Sequence, residues 1–471
     1  MTLTKRHDTD MTKGSIVRNL VWFTLPLLAG NLFQQLYNMV DAWVIGQTGE
    51  NGAYAAVGSV APIMNILIGF FGGLATGAGV VISQYYGAKR DDDVKRATHT
   101  ALSLTLILGV VFTIIGVVMT PWMLQMMLHT AGGEDGVYPF AKTYLTIYFA
   151  GVMGLMIYNM GAGILRAVGD SKRPFYFLVV SAVTNIVLDL LFVFGFRMGV
   201  AGVAYATIIA QGISSVLVLI ALYRTHSPVK MDLKALRIDW SMLRQIVGVG
   251  IPAALQMALT AFSNVFVQSY IAGVNGDQTY CLAGWTSYTK IDHFLFLPVQ
   301  SIAMAVSTFV GQNLGAGNPA RARKGTYAAV GMALGINVVL IAIVMLFAPT
   351  LAGVFNPDEN VVQYANILLQ HITPFYILTC FNQIFAAALR GAGNSRAPMI
   401  IMLSTFVGFR QLYLFVMSNY ISNDLIPVAM AYPAGWFLCA TITTIYFLSH
   451  PIDKHRLVKG ETVKEKLRWQ E

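Results

Sequence analysis

Charge is what this chain of 471 residues has least of. Asp, Glu, Lys and Arg make up 11% of it, whereas 56% is hydrophobic. An ordinary soluble domain carries roughly 25% charged residues. So few charges cannot cover a soluble surface, which excludes a water-soluble globular protein. Cysteine is scarce as well. Cys281, Cys380 and Cys439 lie scattered without metal-ligand spacing and read as small apolar packing residues. No Walker A pattern occurs, and Gly73-x-x-x-Gly77 sits inside an apolar run, where small residues let helices approach. ATP is therefore not indicated as an energy source. The eight histidines form no His-x-x-x-His or Ser–His constellation, so a membrane-embedded enzyme is not supported and no cofactor is implied. The first apolar stretch is too long to read as a cleavable signal.

What the chain has instead is long apolar runs. A helix needs about 20 residues to cross a hydrocarbon core. Hydropathy places twelve such spans near 20–46, 53–84, 97–119, 138–165, 174–196, 199–223, 246–274, 280–311, 325–353, 361–388, 397–419 and 425–448. Alternate connections hold the basic residues: the N-terminus, 87–99, 166–173, 224–244, 317–324, 390–396 and the tail from Lys454 to Arg468. Together these contain 27 of the 31 Lys and Arg. The asymmetry puts both termini in the cytoplasm of a multi-pass protein of the plasma (inner) membrane. The net charge of +9 is then a topology signal, with no nucleic-acid partner implied, although the basic tail suits anionic membrane lipid.

The chain also says nearly the same thing twice. Gln84-Tyr85-Tyr86-Gly87-Ala88 returns as Gln312-Asn313-Leu314-Gly315-Ala316, and Leu165-Arg166-x-x-Gly169-x-Ser171-x-x-Pro174 as Leu389-Arg390-x-x-Gly393-x-Ser395-x-x-Pro398. Pro26 with Asn38 matches Pro252 with Asn264. With six spans per copy, both halves start on the same side, so the repeat is parallel about an axis along the membrane normal. The expected division is an N-lobe at 1–223, a linker at 224–245, a C-lobe at 246–450 and a basic tail at 451–471. The repeated turns read either as a gate or hinge, or as turn chemistry with glycine at positive φ and proline starting the next helix.

Ionisable groups inside a bilayer are costly and by default mark an ion or substrate path. Only Asp41, Asp189 and Asp292 fall within spans as carboxylates, with Lys290 and Arg410 as cations and His293 and His371 at similar depth. Asp41 lies about 8 Å from the outer end of helix 1, Asp189 about 10 Å from that of helix 5, and Thr207 about 12 Å into helix 6, at 1.5 Å per residue. Tyr37 and Asn185 each precede a carboxylate by one turn. Two carboxylates without a basic partner cannot both stay ionised cheaply, so the set is a candidate ion-coupling site. In the second half, Asp41 aligns with Val267 and Asp189 with Tyr413. Lys290, Asp292 and Arg410 stand there instead as a structural cluster or as substrate or gating contacts. Asp292 is expected to pair with Arg410, leaving Lys290 to face a cavity or carbonyls. Pro26, mid-helix, is a candidate hinge. The 22 Met and the aromatics could line an adaptable apolar cavity.

These residues resemble the multidrug and toxic compound extrusion family over all twelve helices. The resemblance rests on Pro26…Tyr37-x-x-x-Asp41, Asn185-x-x-x-Asp189, Gly311-Gln312-Asn313-x-Gly315-Ala316 and the doubled Leu-Arg-x-x-Gly-x-Ser-x-x-Pro turns. It implies an antiporter that expels organic cations or metabolites against inward H⁺ or Na⁺ flow. The family's first-lobe ion ligands map onto Asp41, Asn185, Asp189 and Thr207, and bending of helix 1 at its proline maps onto Pro26. One departure is that helix 7 offers Gln256 and Thr260, and helix 10 no acid, where another branch of the family has acidic residues. The expectation is an all-α membrane protein of two pseudo-symmetric six-helix bundles, a monomer with no cofactor and no metal beyond a transported Na⁺. The alternative within the superfamily is a flippase for a lipid or lipid-linked oligosaccharide.

Overall fold

The computed structural model describes residues 10–47, 52–127 and 136–458. Among them, twelve helices are long and apolar enough to cross a membrane: α1 (Ile16–Gly46), α2 (Ala55–Gly87), α3 (Asp91–Gln125), α4 (Val137–Ala167), α5 (Lys172–Gly195), α6 (Gly199–Arg224), α7 (Trp240–Ala272), α8 (Gln278–Gly315), α9 (Pro319–Phe355), α10 (Glu359–Gly391), α11 (Arg396–Ile421) and α12 (Leu425–Ser449). Backbone amides inside hydrocarbon must bond within their own segment, which makes helices the natural form for these runs. Most helices outrun the expected spans because their ends carry polar caps. The side chains of Ser15, Asp239, Asp277, Asn318 and Asp358 accept from first-turn amides of α1, α7, α8, α9 and α10. The tail beyond Val458 lies outside the described residues.

The repeat is visible in local structure. Gly169 and Gly393 turn the chain at φ of +90° and +93°, and Pro174 and Pro398 sit in the first turns of α5 and α11. Only glycine takes that backbone region without strain. Both helices end in a π-helical turn, Leu191–Gly195 in α5 and Met417–Ile421 in α11. The offset between copies is 224 residues at the prolines and 226 at these turns. A further π run in α11, Leu403–Phe409, takes up the difference, since π turns accommodate inserted residues. At the offset of the prolines the counterpart of Asp189 is Tyr413, and at that of the closing turns it is Phe415. Neither is acidic, so the conclusion that the second half lost its carboxylates stands.

The halves meet chiefly through α2 against α7, with α2 and α1 also on α8. Gly73 faces the Ala253–Ala254 backbone, and Gly77 faces Gly250. At the end of the bundle where the chain begins and ends, the contact becomes reciprocal. Gln84 Nε2 donates to the carbonyl of Gly391 (2.9 Å), and Gln312 Nε2 donates to that of Ala167 (2.9 Å). Each glutamine oxygen accepts from a terminal segment: Gln84 from the amide of Leu457 (2.8 Å), Gln312 from that of Met11 (3.0 Å). Both glutamines are fully buried. The chain ends thus cross over. Met11 packs into the α8–α10 cluster of the second half, and Val458 into the α2–α6 cluster of the first. Arg321 holds the first segment by donating to the carbonyls of Lys13 (3.0 Å) and Gly14 (2.9 Å), and Arg456 of the other donates to that of Gly315 (3.2 Å).

Two glycines permit this closure. A Cβ on Gly87 would overlap the carbonyl of Gln312, and one on Gly315 that of Gln84. With spin labels at exposed Lys95 and Lys324, one in each half, Gly315→Val should lengthen the inter-label distance measured by double electron–electron resonance. Gly331→Ala, which meets open space, should leave it unchanged. Identical distance distributions in all three proteins would show that this face is not closed by the Gly315 contact.

Candidate ion-coupling site

The first-half set lies on three helices, α1, α5 and α6. Asp189 of α5 is fully buried, Asn185 one turn earlier is 1% exposed, and Asp41 of α1 is half-buried beside both. Ser181 Oγ donates to the carbonyl of Ala210 (2.8 Å), which fixes the antiparallel register of α5 on α6. One turn outward from that bond brings Asn185 level with Thr207, whose hydroxyl donates to its own helix at Val203 (2.9 Å). Tyr37 interacts with Asp41 from one turn back on α1. Asn185 and Thr207 therefore share one level, a turn inward of Asp189.

The site also contains groups that sequence reasoning missed. Tyr144 of α4 lies within electrostatic range of Asp41, Asp189 and Tyr37, and Tyr148 stacks on it with ring centroids 6.4 Å apart. Gln211 approaches the Tyr148 hydroxyl. Gln211 is one turn from Thr207 on α6, so the spacing argument that gave Asn185 could have found it. The tyrosines left no signal, because a Tyr pair on an apolar helix reads as core.

What distinguishes this locus is its unpaired polar atoms. Asp41 Oδ1, both carboxyl oxygens of Asp189, both amide atoms of Asn185, the Tyr148 hydroxyl and Gln211 Oε1 are buried without a well-formed hydrogen bond, and their close approaches are to one another, Asp41 to Asp189 and Asn185, and Gln211 to Tyr148. A buried polar group without a partner is costly, and such groups in a native protein call for a ligand, an ion or water. No Lys or Arg forms an ion pair with either carboxylate among the described residues. Chemically, the arrangement can hold a proton between two acids or a cation among their oxygens.

The second-half cluster does not assemble as expected. No ion pair joins Asp292 to Arg410 among the described residues. Arg410, 2% exposed, instead donates to Ser263 Oγ (2.8 Å) and Asn264 Oδ1 (2.9 Å), and stacks over Tyr432 with its guanidinium 4.8 Å from the ring centroid. Both bonds come from Nη2, and with the aromatic face they hold the cation without a carboxylate, while Nε is buried without a hydrogen bond. Asp292 accepts from the Tyr288 hydroxyl (3.2 Å) on its own helix. Lys290 is exposed and sits over the Phe355 ring (5.5 Å), so its cation turns toward α9 rather than to Arg410. His293 meets Gln35 of α1 (3.4 Å), and His371 bonds the Ile367 carbonyl of its own helix (2.7 Å). On α7, Gln256 Oε1 accepts from Arg390 (3.2 Å), and Thr260 donates to its own helix (2.7 Å).

Comparison with known proteins agrees with both the fold and the duplication. The MatE family model matches twice, over residues 26–191 and 252–415. The chain belongs to the MatE family. Its relatives include the probable multidrug resistance protein YoeA of Bacillus subtilis, 29% identical over 93% of this chain and 94% of that protein. The multidrug export protein MepA of Staphylococcus saprophyticus is 24% identical over 95% and 98%. A solved outward-facing structure of a multidrug resistance MATE family transporter superposes with a TM-score of 0.88 at 25% identity, covering 95% and 98% of the two chains. The MatE chain described here is thus a multi-pass membrane protein and not an enzyme.

Within this MatE fold α1 runs unbroken through Pro26, with the Thr24 hydroxyl buried and unpartnered beside it. The Arg410 guanidinium, in contrast, is tied to α7 through Nη2. Arg410→Lys should remove the fork and the stacking and cost about 1–3 kcal/mol, read as a lower midpoint of thermal unfolding in detergent. A midpoint equal to wild type would mean that the α7–α11 contact does not depend on the guanidinium.

Proposed function

We propose that this MatE protein is a secondary antiporter that exports organic cations or metabolites in exchange for H⁺ or Na⁺, with Asp41, Asn185, Asp189, Thr207 and Tyr37 as its coupling site. The observation that carries the proposal is the Asp41–Asp189 pair, two carboxyls in contact at membrane depth with no compensating cation among the described residues. Such a pair must gain a positive charge or be reorganised, which is what coupling an ion gradient to a conformational change requires.

The side bearing the chain ends is assigned to the cytoplasm of the plasma membrane from the charge asymmetry. The glutamine-locked face is then the cytoplasmic gate, and the conformation is closed inward. The two lobes, 1–223 and 246–450, rock about the α2–α7 seam as a monomer, joined by the linker 224–245. Pro26 supplies the weak point at which α1 bends, because proline leaves the carbonyl one turn earlier without its helical donor. Ion binding from outside favours return to the inward-facing state, in which the exported compound is loaded. The flippase alternative finds no support in the names of the two relatives given above, a probable multidrug resistance protein and a multidrug export protein.

In proteoliposomes loaded with a fluorescent organic cation, an imposed ΔpH or Na⁺ gradient should drive efflux, and the productive gradient identifies the ion. Asp41→Asn and Asp189→Asn should each reduce driven efflux to background while the protein remains folded. Driven efflux at the wild-type rate in either variant would remove that carboxylate from the coupling site.

A further inference from the structure

A cavity of about 750 Å³ opens between α7, α11 and the C-terminal segment, at the end of the bundle where the chain begins and ends. Arg244 of α7 and Arg396 of α11 line it, both exposed and both without a hydrogen bond or ion pair among the described residues. The other polar groups of its wall are mostly engaged. Gln245 bonds the Tyr85 hydroxyl (3.1 Å), and Asn394 donates to that of Tyr446 (3.0 Å) while accepting from the amide of Ala397 (3.2 Å). Asp239, the acid nearest Arg244 on its helix, is already bound. It accepts from Arg96 and from the first-turn amides of α7, and the Arg96 hydrogen bond holds its carboxyl below the usual range. His455 at the rim is held below its ordinary value by partial burial and by Lys454 and His450, so at neutral pH it offers a donor without charge.

The deeper wall is apolar. One turn inward from Arg244 stands Gly248, exposed and with open space where a Cβ would be. One turn inward from Arg396 stands Ile400, 59% exposed. Residues four apart share a helix face. Two adjacent helices therefore each present a cation at the membrane boundary with an apolar surface directly beneath it, and Val249 and Ile401 continue that surface inward.

We infer that this cavity is a binding site for one anionic phospholipid, with the phosphodiester on Arg244 and Arg396 and an acyl chain along Gly248 and Ile400. A soluble anion would use the arginines alone and has no need of the apolar track. A zwitterionic lipid gains less from two uncompensated cations, because its headgroup carries its own. His455 and Leu457 of the roof belong to the segment whose Leu457 amide is bonded to Gln84. The bound lipid therefore touches α7, α11 and the strap at once, and it adds contacts that exist only while the strap is docked.

The test is native mass spectrometry of the full chain, with phosphatidylglycerol or phosphatidylcholine added to the micelles. Wild type should retain one phosphatidylglycerol in preference to phosphatidylcholine by about thirtyfold, the effect of two cations beside an anionic headgroup. R244Q with R396Q should abolish the preference. Gly248→Leu, which leaves both arginines in place, should weaken retention of the lipid. Excess inorganic phosphate should not displace it. Equal retention of both lipids, or an undiminished preference in the double variant, would overturn the site. Displacement by phosphate together with no effect of Gly248→Leu would make it a simple anion site and overturn the lipid assignment.

Discussion

Two side-chain amides hold the halves of this protein together where the chain begins and ends. Gln84 and Gln312 each reach across the seam to a carbonyl at the end of a helix in the opposite half, and each accepts from the terminal segment that lies over it. Much else at this end follows from that arrangement. Helix ends can come this close only because Gly87 and Gly315 lack side chains. The terminal segments must cross to the other half because that is where the free glutamine oxygens point. Each bond is modest, about 0.5–1.5 kcal/mol net, so the closure is a sum of small terms that an ion or substrate can outweigh. A strongly hydrophobic seam would have been harder to open.

The membrane-depth polar groups divide into two kinds. Arg410 has acceptors and an aromatic face on neighbouring helices and reads as an internal tie. Asp41, Asn185 and Asp189 find close partners only in one another, as Gln211 and the Tyr148 hydroxyl do beside them, and no cation meets the two carboxyls among the described residues. In a medium without water, the first kind lowers the energy of one arrangement of helices. The second kind holds an energy penalty that a cation relieves. The same residue chemistry thus serves architecture in one half and coupling in the other, and only the partner inventory separates them.

Much of this was legible in the chain. The twelve spans agree with the helices to within a few residues, because bilayer thickness is a severe constraint on length. The repeated Gly169 and Gly393 fall at positive φ, and the repeated Pro174 and Pro398 in first turns. The first-half site followed from counting residues inward from the helix ends, which works when helices are straight and uninterrupted. In α11 the π run Leu403–Phe409, which no residue type announces, makes the alignment of the two copies depend on the end from which it is counted. Pairing Asp292 with Arg410 failed. Opposite charge was assumed to find opposite charge, whereas Ser263, Asn264 and Tyr432 already held the guanidinium. Glutamines 84 and 312 were visible as a repeat, but a repeat alone does not say that its members reach across to one another.

That reciprocity is a form of symmetry. Ala167 and Gly391 occupy equivalent places in the two copies, as do Gln84 and Gln312, so the two bonds are one contact written twice. A contact in which a residue meets its partner's counterpart, and the reverse, is the signature of a two-fold homodimer. The seam thus has the form of an interface between two identical six-helix units, although both lie in one chain. Copies within one chain need not match each other. One kept a carboxylate pair at its centre, and the other could bury Val267 in apolar packing where its twin holds Asp41.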